Sequence, residues 1–209
     1  MNATIAVLGA GSWGTALAIQ LARNQLQVKL WGHEADHIAR LQVLRENTDF
    51  LPGFTLADNI EPLASLEDTV KQAPYLLIVI PSKGFRGLLQ KLEPLIDDSK
   101  MLFWASKGFE IDTGKLLHEV VAEELPIQHY GVVSGPTFAT EVALGMPAAI
   151  ACAGNNPQST ETFAALLRGH HFRAYTSDDI IGVELGGALK NVLAIAVGIS
   201  DGLGFGANT

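Results

Sequence analysis

An α/β fold with a doubly wound, mostly parallel sheet is predicted by three features of this sequence. Apolar runs rich in β-branched residues alternate with segments of helical period, a glycine cluster follows directly on the first run, and the composition suits a large buried core. Of 209 residues, 48% are hydrophobic and only 17% charged, the balance of a folded chain rather than a disordered one.

The first predicted strand, residues 4–8, holds the run Ile5-Ala6-Val7-Leu8. A helix follows at 12–23, and the pattern then repeats, with strands at 28–31, 76–80, 101–105 and 131–133 and helices at 34–45, 84–92 and 114–124. This β-α-β order builds a parallel sheet through right-handed crossovers, covered on both faces. A short helix at 137–144, a strand at 148–152, a helix at 159–167 and a strand at 172–176 complete the sheet, with strand direction free to reverse. From Asp178 the character changes to a Gly- and Ala-rich apolar helix from 180 to about 199, followed by Asp201-Gly202-Leu203-Gly204-Phe205-Gly206. Residues 1–180 are therefore expected to form one domain and 181–209 the start of another. Helices apolar all round are buried, so this one is expected to be the first helix of a C-terminal helical domain that is truncated here. Its most apolar stretch, 192–199, is shorter than the roughly 20 residues a bilayer needs and reads as buried.

Charge and cysteine content exclude several function classes. Fourteen basic residues against 22 acidic give a net charge of −8, and no Lys/Arg cluster is available to follow a phosphate backbone, so nucleic acid is not an expected partner. Cys152 is the single cysteine, which rules out an intrachain disulfide and points to no oxidising compartment. The N-terminus shows no basic region, apolar core or cleavage site of a secretory signal. The Asn2-Ala3-Thr4 sequon accordingly carries no weight, and a cytoplasmic protein without membrane insertion is the expectation.

The run Gly9-Ala10-Gly11-Ser12-Trp13-Gly14 lies between the first strand and a helix, the context that gives a GxGxxG pattern meaning. Gly9 permits a tight turn, Gly11 lets backbone approach a pyrophosphate, Gly14 lets helix and strand pack closely, and the helix N-terminus offers free amides to an anion. Ser12 and Trp13 stand at that mouth. The reading is a dinucleotide site for NAD(H) or NADP(H); the bland alternative is a glycine turn that binds nothing. A Walker loop is excluded because no Gly-Lys-Ser/Thr follows. The second strand ends in Leu30-Trp31-Gly32-His33, without the carboxylate that usually meets the ribose hydroxyls of NAD. His33 is the candidate for the adenosine ribose or a 2′-phosphate, with Glu34 next to it. His33 and His37 also have the i, i+4 spacing of a metal pair, but no third ligand is identifiable, and a solvated helix face is the preferred reading.

Ligands of open α/β sheets sit beyond the carboxyl ends of the strands, which singles out Pro81-Ser82-Lys83, Ser106-Lys107-Gly108 and Ser134-Gly135-Pro136-Thr137-Phe138-Ala139. Lys107 is a point charge where a phosphate or polarised oxygen would lie, or else a surface turn lysine. The turn at Gly135 and Thr137 is a substrate cradle, unless Thr137 merely caps a helix. Lys190 sits in the apolar run Leu185-Gly186-Gly187-Ala188-Leu189-Lys190-Asn191-Val192. Burial there would lower its pKa toward neutrality, where an amine both gives and takes a proton. The alternative is a lysine snorkelling from a helix edge.

The run from Gly187-Ala188-Leu189-Lys190-Asn191 to Gly206-Ala207-Asn208 resembles the signature of NAD(P)-dependent sn-glycerol-3-phosphate dehydrogenases. The Gly9 to Gly14 turn, the Leu30-Trp31-Gly32-His33 strand end, Ala105-Ser106-Lys107-Gly108 and Ser134 to Ala139 also resemble the bacterial form in order and spacing. The resemblance implies reversible hydride transfer between NAD(P)H and dihydroxyacetone phosphate, yielding sn-glycerol 3-phosphate for phospholipid synthesis. It implies that Lys190 moves the proton, that Lys107, Gly135 and Thr137 contact the substrate, and that Ser12, Trp13, His33, Lys107 and Ala139 contact the cofactor. It implies no metal and leaves a homodimer open. The family continues into a helical domain with further phosphate-binding residues, so this chain is expected to bind dinucleotide but turn over poorly. Other lysine-dependent β-hydroxyacid or sugar-nucleotide dehydrogenases pair the lysine with an asparagine one helical turn later, where Ala194 stands here. A non-enzymatic dinucleotide-sensing module is the reading from outside enzymology.

Overall fold

A computed structural model describes residues 3–206; Asn2 of the sequon and Ala207 and Asn208 of the signature lie outside the described residues. The chain begins with β1 (Thr4–Leu8), turns at the glycine cluster into α1 (Ser12–Arg23) and returns as β2 (Gln27–Trp31) beside β1. After α2 (Ala35–Leu44), the antiparallel pair β3 (Glu46–Asn47) and β4 (Leu51–Thr55) forms a small separate hairpin. β5 (Ile60–Leu63) then takes the outer edge beyond β2, and α3 (Leu66–Val70) leads to β6 (Tyr75–Ile78) on the opposite flank of β1. The sheet grows outward through α4 (Phe85–Leu92), β7 (Met101–Trp104), α5 (Leu117–Glu124) and β8 (His129–Ser134). It ends with α6 (Ala139–Leu144), β9 (Ala148–Gly154), α7 (Pro157–Leu167) and β10 (Phe172–Ser177), after which α8 (Ile180–Gly202) leaves the sheet.

Eight of the ten described strands form the main sheet, in the order β10-β9-β8-β7-β6-β1-β2-β5. Within this sheet β8 and β9 pair antiparallel and every other neighbouring pair is parallel, so β9 and β10 run opposite to its other strands. Successive side chains of a strand point to opposite faces, and β1 divides accordingly. Ile5 and Val7 join a core cluster with Leu17 and Leu21 of α1 and Phe163 of α7, whereas Ala6 and Leu8 join one with Leu89 of α4 and Val121 of α5. Helices therefore cover both faces, as a doubly wound fold requires.

The expected elements are present with ends shifted by a few residues, and among the described residues three more strands, β3, β4 and β5, and one more α-helix, α3, appear. β5 carries Pro62, which has no N–H to give a ladder, and an edge strand is where that loss is tolerated. α8 departs from expectation. Its first turns rest on the sheet, but Glu184 is its one buried residue among those described. Val192, Ile195 and Ile199 are 63%, 65% and 59% exposed, so the stretch predicted to be buried is open. The whole helix, with 23 residues, is long and apolar enough to cross a membrane by length and composition alone. An apolar sequence sets a demand for burial; only a packed neighbour meets it.

Candidate active site

The chain crosses from one side of β1 to the other between β2 and β6, and the glycine turn lies at that switch point, beyond the carboxyl ends of the strands. Gly9 has φ +136°, a conformation L side chains avoid, and a Cβ there would overlap the Val79 carbonyl. A Cβ on Gly14 would overlap the Gly9 carbonyl, so α1 packs onto the turn only because that residue has no side chain. Gly11, at the start of α1, has nothing within 4 Å of where a Cβ would stand. It therefore leaves backbone open to an incoming group, beside helix amides with no acidic residue in the first turn. Ser12 and Trp13 are half-buried at this mouth. A cleft of about 260 Å³ opens there, between Gly9–Gly11, the Gly32-His33-Glu34 strand end and Val79–Pro81.

His33 is exposed and lies 3.6 Å from the Glu34 carboxylate. His37 is different: it is buried, and its Nε2 lies 3.0 Å from Asn47 Oδ1, so the solvated face predicted for it is incorrect. The i, i+4 spacing placed both histidines on one helix, but α2 begins at Ala35 and leaves His33 in the preceding loop. Among the described residues no group of three or more His, Cys, Asp and Glu is arranged to hold a metal.

The hairpin that the sequence did not reveal closes one wall of this cleft. Phe50, between β3 and β4, meets the His37 ring edge-on with centroids 5.1 Å apart, and both line the cleft. The fully buried Asn47 ties the hairpin to the glycine turn: its Nδ2 donates to Ala10 O at 2.9 Å and to Thr15 Oγ1 at 2.7 Å. Neither residue carries a sequence signal, since a polar residue between helix and turn ordinarily faces water.

Farther along the sheet, at the ends of β7 and β8, the lysines converge. A cavity of about 400 Å³ is lined by Lys107 after β7, by Ser134 at the end of β8 with Gly135 and Pro136 after it, and by Gly187 and Lys190 of α8. Lys107 Nζ donates to Gly135 O at 3.3 Å. Lys107 is exposed along its length, yet partial desolvation at the cavity lowers the pKa of its amine, and the Lys190 charge lowers it further. Gly187 brings α8 close: a Cβ there would lie 2.9 Å from Ser134 Oγ and 3.7 Å from Lys107 Cγ. Lys190 is exposed, against the expectation of a buried lysine, because nothing among the described residues covers α8 from Leu189 onward. Its Nζ lies 5.9 Å from the centroid of the Phe138 ring, within cation–π range. Thr137 is half-buried and does not cap: α6 takes Phe138 as its N-cap, with no side-chain cap bond. Ala139, first residue of α6, packs against the core cluster that contains α1. Arg23 at the end of α1 holds α6 from its other end, donating to Val142 O at 2.8 Å and to Ala143 O.

Residues 4–160 match the family described as NAD-dependent glycerol-3-phosphate dehydrogenase N-terminus, and residues 179–209 the corresponding C-terminus family. The chain is 50% identical over 205 residues to a glycerol-3-phosphate dehydrogenase [NAD(P)+] of Thioalkalivibrio sulfidiphilus, covering 98% of this chain and 62% of that protein. It is 48% identical to the protein of the same name from Nitrosococcus oceani, covering 100% of this chain and 61% of the relative. Among solved structures, glycerol-3-phosphate dehydrogenase from Coxiella burnetii superposes with a TM-score of 0.91 at 44% identity, covering 99% of this chain and 63% of that one. The chain thus spans somewhat over three-fifths of the length of these relatives.

Proposed function

The chain belongs to the NAD-dependent glycerol-3-phosphate dehydrogenase family, and from that premise we propose that it carries the dinucleotide-binding half and both lysines of an oxidoreductase interconverting dihydroxyacetone phosphate and sn-glycerol 3-phosphate. The observation that carries this reading is the convergence of Lys107 and Lys190 on one cavity at the carboxyl edge of the sheet that also bears the glycine turn.

Gly11 leaves the space a pyrophosphate needs, so the residues present fit NAD(H) or NADP(H). When bound, the dinucleotide supplies or accepts a hydride at the carbon bearing the reacting oxygen. Gly9, Gly11, Ser12, Trp13 and Gly14 seat it, His33 lies at the adenosine end, and Ala139 and Lys107 lie toward the substrate. Lys107, Gly135 and Thr137 hold the phosphorylated substrate; an ammonium that burial disfavours gains from an anion placed beside it. Lys190 moves the proton. In ketone reduction its ammonium stabilises the developing alkoxide and gives it a proton from Nζ; in oxidation the neutral amine takes the hydroxyl proton back. Its exposure leaves Nζ free to reach a substrate oxygen. Residues 1–180 act as the dinucleotide domain, and α8 opens the substrate domain at 181–209. The reading places the protein in the cytoplasm, without membrane insertion, feeding glycerophospholipid synthesis, and is compatible with a homodimer.

The test is absorbance at 340 nm on the complete gene product given dihydroxyacetone phosphate, with NADPH and NADH compared. Substrate-dependent loss of signal with at least one of them is expected; none with either overturns the proposal.

A further inference from the structure

Asn47 is fully buried, and its amide is fully used. Nδ2 donates to Ala10 O and Thr15 Oγ1, while Oδ1 accepts from the Phe50 backbone N–H at 3.3 Å and faces His37 Nε2 at 3.0 Å. With both amide hydrogens committed, His37 must be the donor in the last contact, which puts its proton on Nε2. One side chain thus joins the glycine turn, the first turns of α1, α2 and the loop bearing Phe50.

Peptide planarity gives this knot a consequence at the site. The Ala10 carbonyl and the Gly11 N–H belong to one trans peptide unit, in which C=O and N–H point in opposite directions. Asn47 holds the Ala10 oxygen on its own side, so the Gly11 N–H points away from Asn47, and Gly11 itself lines the cleft. A glycine follows and another precedes Ala10, and glycine backbone has little preference of its own. The turn alone leaves that peptide plane free to rotate, and the Asn47 amide supplies the restraint.

We propose that Asn47 is a positioning residue for dinucleotide binding: it locks the Ala10–Gly11 peptide with the Gly11 N–H toward the pyrophosphate and couples that orientation to docking of the hairpin. The inference rests on the dinucleotide reading above. Asn47 contacts no ligand itself and acts through the turn.

Asn47→Asp tests it, because a carboxylate keeps the shape but gives up both donations. Binding of NADH, NADPH and ADP-ribose, which has the pyrophosphate without the nicotinamide, is followed by protein fluorescence, and the His37 ring nitrogens by 15N NMR. The dissociation constants of all three ligands should rise by about tenfold, the loss of one or two buried hydrogen bonds at the turn. In the complete enzyme the loss should fall on the dinucleotide KM, and His37 of the unaltered protein should carry its proton on Nε2. If Asn47→Asp does not fold, Thr15→Val carries the test with a loss of about threefold, and Thr15→Ser restores binding. A folded Asn47→Asp that binds all three ligands as the unaltered protein does, or a His37 protonated on Nδ1 alone, overturns the positioning role. An unaltered protein that binds none of the three overturns the dinucleotide reading itself.

Discussion

Glu184 accepts the indole N–H of Trp104 at 3.2 Å, which fastens α8 to the end of β7, three residues before Lys107. The same carboxylate accepts the His118 backbone N–H at 3.1 Å and meets its ring Nδ1 at 2.5 Å. The helix that carries Lys190 is therefore held by one buried acid against β7 and α5. Glu184→Ala should leave these donors without an acceptor and cost about 1–3 kcal/mol. Urea unfolding at unchanged slope, with an earlier midpoint, is the expected result.

Burial raises the Glu184 carboxyl above the ordinary carboxylate range, with His118 and Trp104 opposing the shift. An acid whose folded-state pKa is raised contributes stability that is fully present below its unfolded pKa and is lost as pH rises through the folded value. Stability should therefore decline on the alkaline side of the carboxylate range, and Glu184→Gln should flatten that part of the profile. Urea midpoints measured from acid to neutral pH check it.

Glu110 shows the opposite sign. Arg86 holds it with bonds of 2.6 and 2.8 Å, and with Thr113 brings its pKa down to about 2. Its stabilisation is present above the unfolded pKa and is lost as pH falls from the ordinary carboxylate range toward about 2. Glu110→Gln should be less stable than the unaltered protein at neutral pH, and the two should converge in acid. Because Arg86 also pairs with Glu123 and Glu124 of α5, this pair braces the loop that leaves Lys107.

The glycines of the turn separate folding from binding. Gly11→Ala meets no atom and sits at φ −76°, so its stability should change by no more than about 0.5 kcal/mol while the new methyl blocks the dinucleotide. Gly14→Ala drives a methyl into the Gly9 carbonyl and should lose stability and binding together. Thermal unfolding beside a fluorescence titration with NADH distinguishes the two outcomes.

Lys190→Met in the complete enzyme should lower turnover by about 10²–10⁴-fold, the usual worth of a positioned acid–base group. Dinucleotide affinity should hold, since the glycine turn is untouched. The Lys107 pKa should rise, because the Lys190 charge is the second cause of its depression after burial. A 13C NMR titration of the Lys107 side chain reads that rise, and a folded Lys190→Met turning over at the parental rate removes the proton-transfer role.

The β1–turn–α1 unit was legible because its information is local. Continuous apolar residues, three glycines at fixed spacing and a helical period all lie within 23 residues. The small hairpin and β5 were not: their strands are two to five residues long and contain Pro52, Gly53 and Pro62, which read as turn residues. Sequence pattern does not encode strand direction, so the reversal at β9 is decided only by the fold.

Sequence by itself determined the alternation that builds the sheet, the glycine turn at its switch point, and the identity of the residues that reach it, since periodicity and backbone freedom are properties of a short stretch of chain. Tertiary structure decided how those residues are surrounded. It buried His37 against Asn47, left Lys190 exposed while partly desolvating Lys107, and joined Asn47 to Ala10 across 37 positions. Burial and hydrogen-bond partnership depend on which distant atoms arrive beside a group, and no local pattern carries that information.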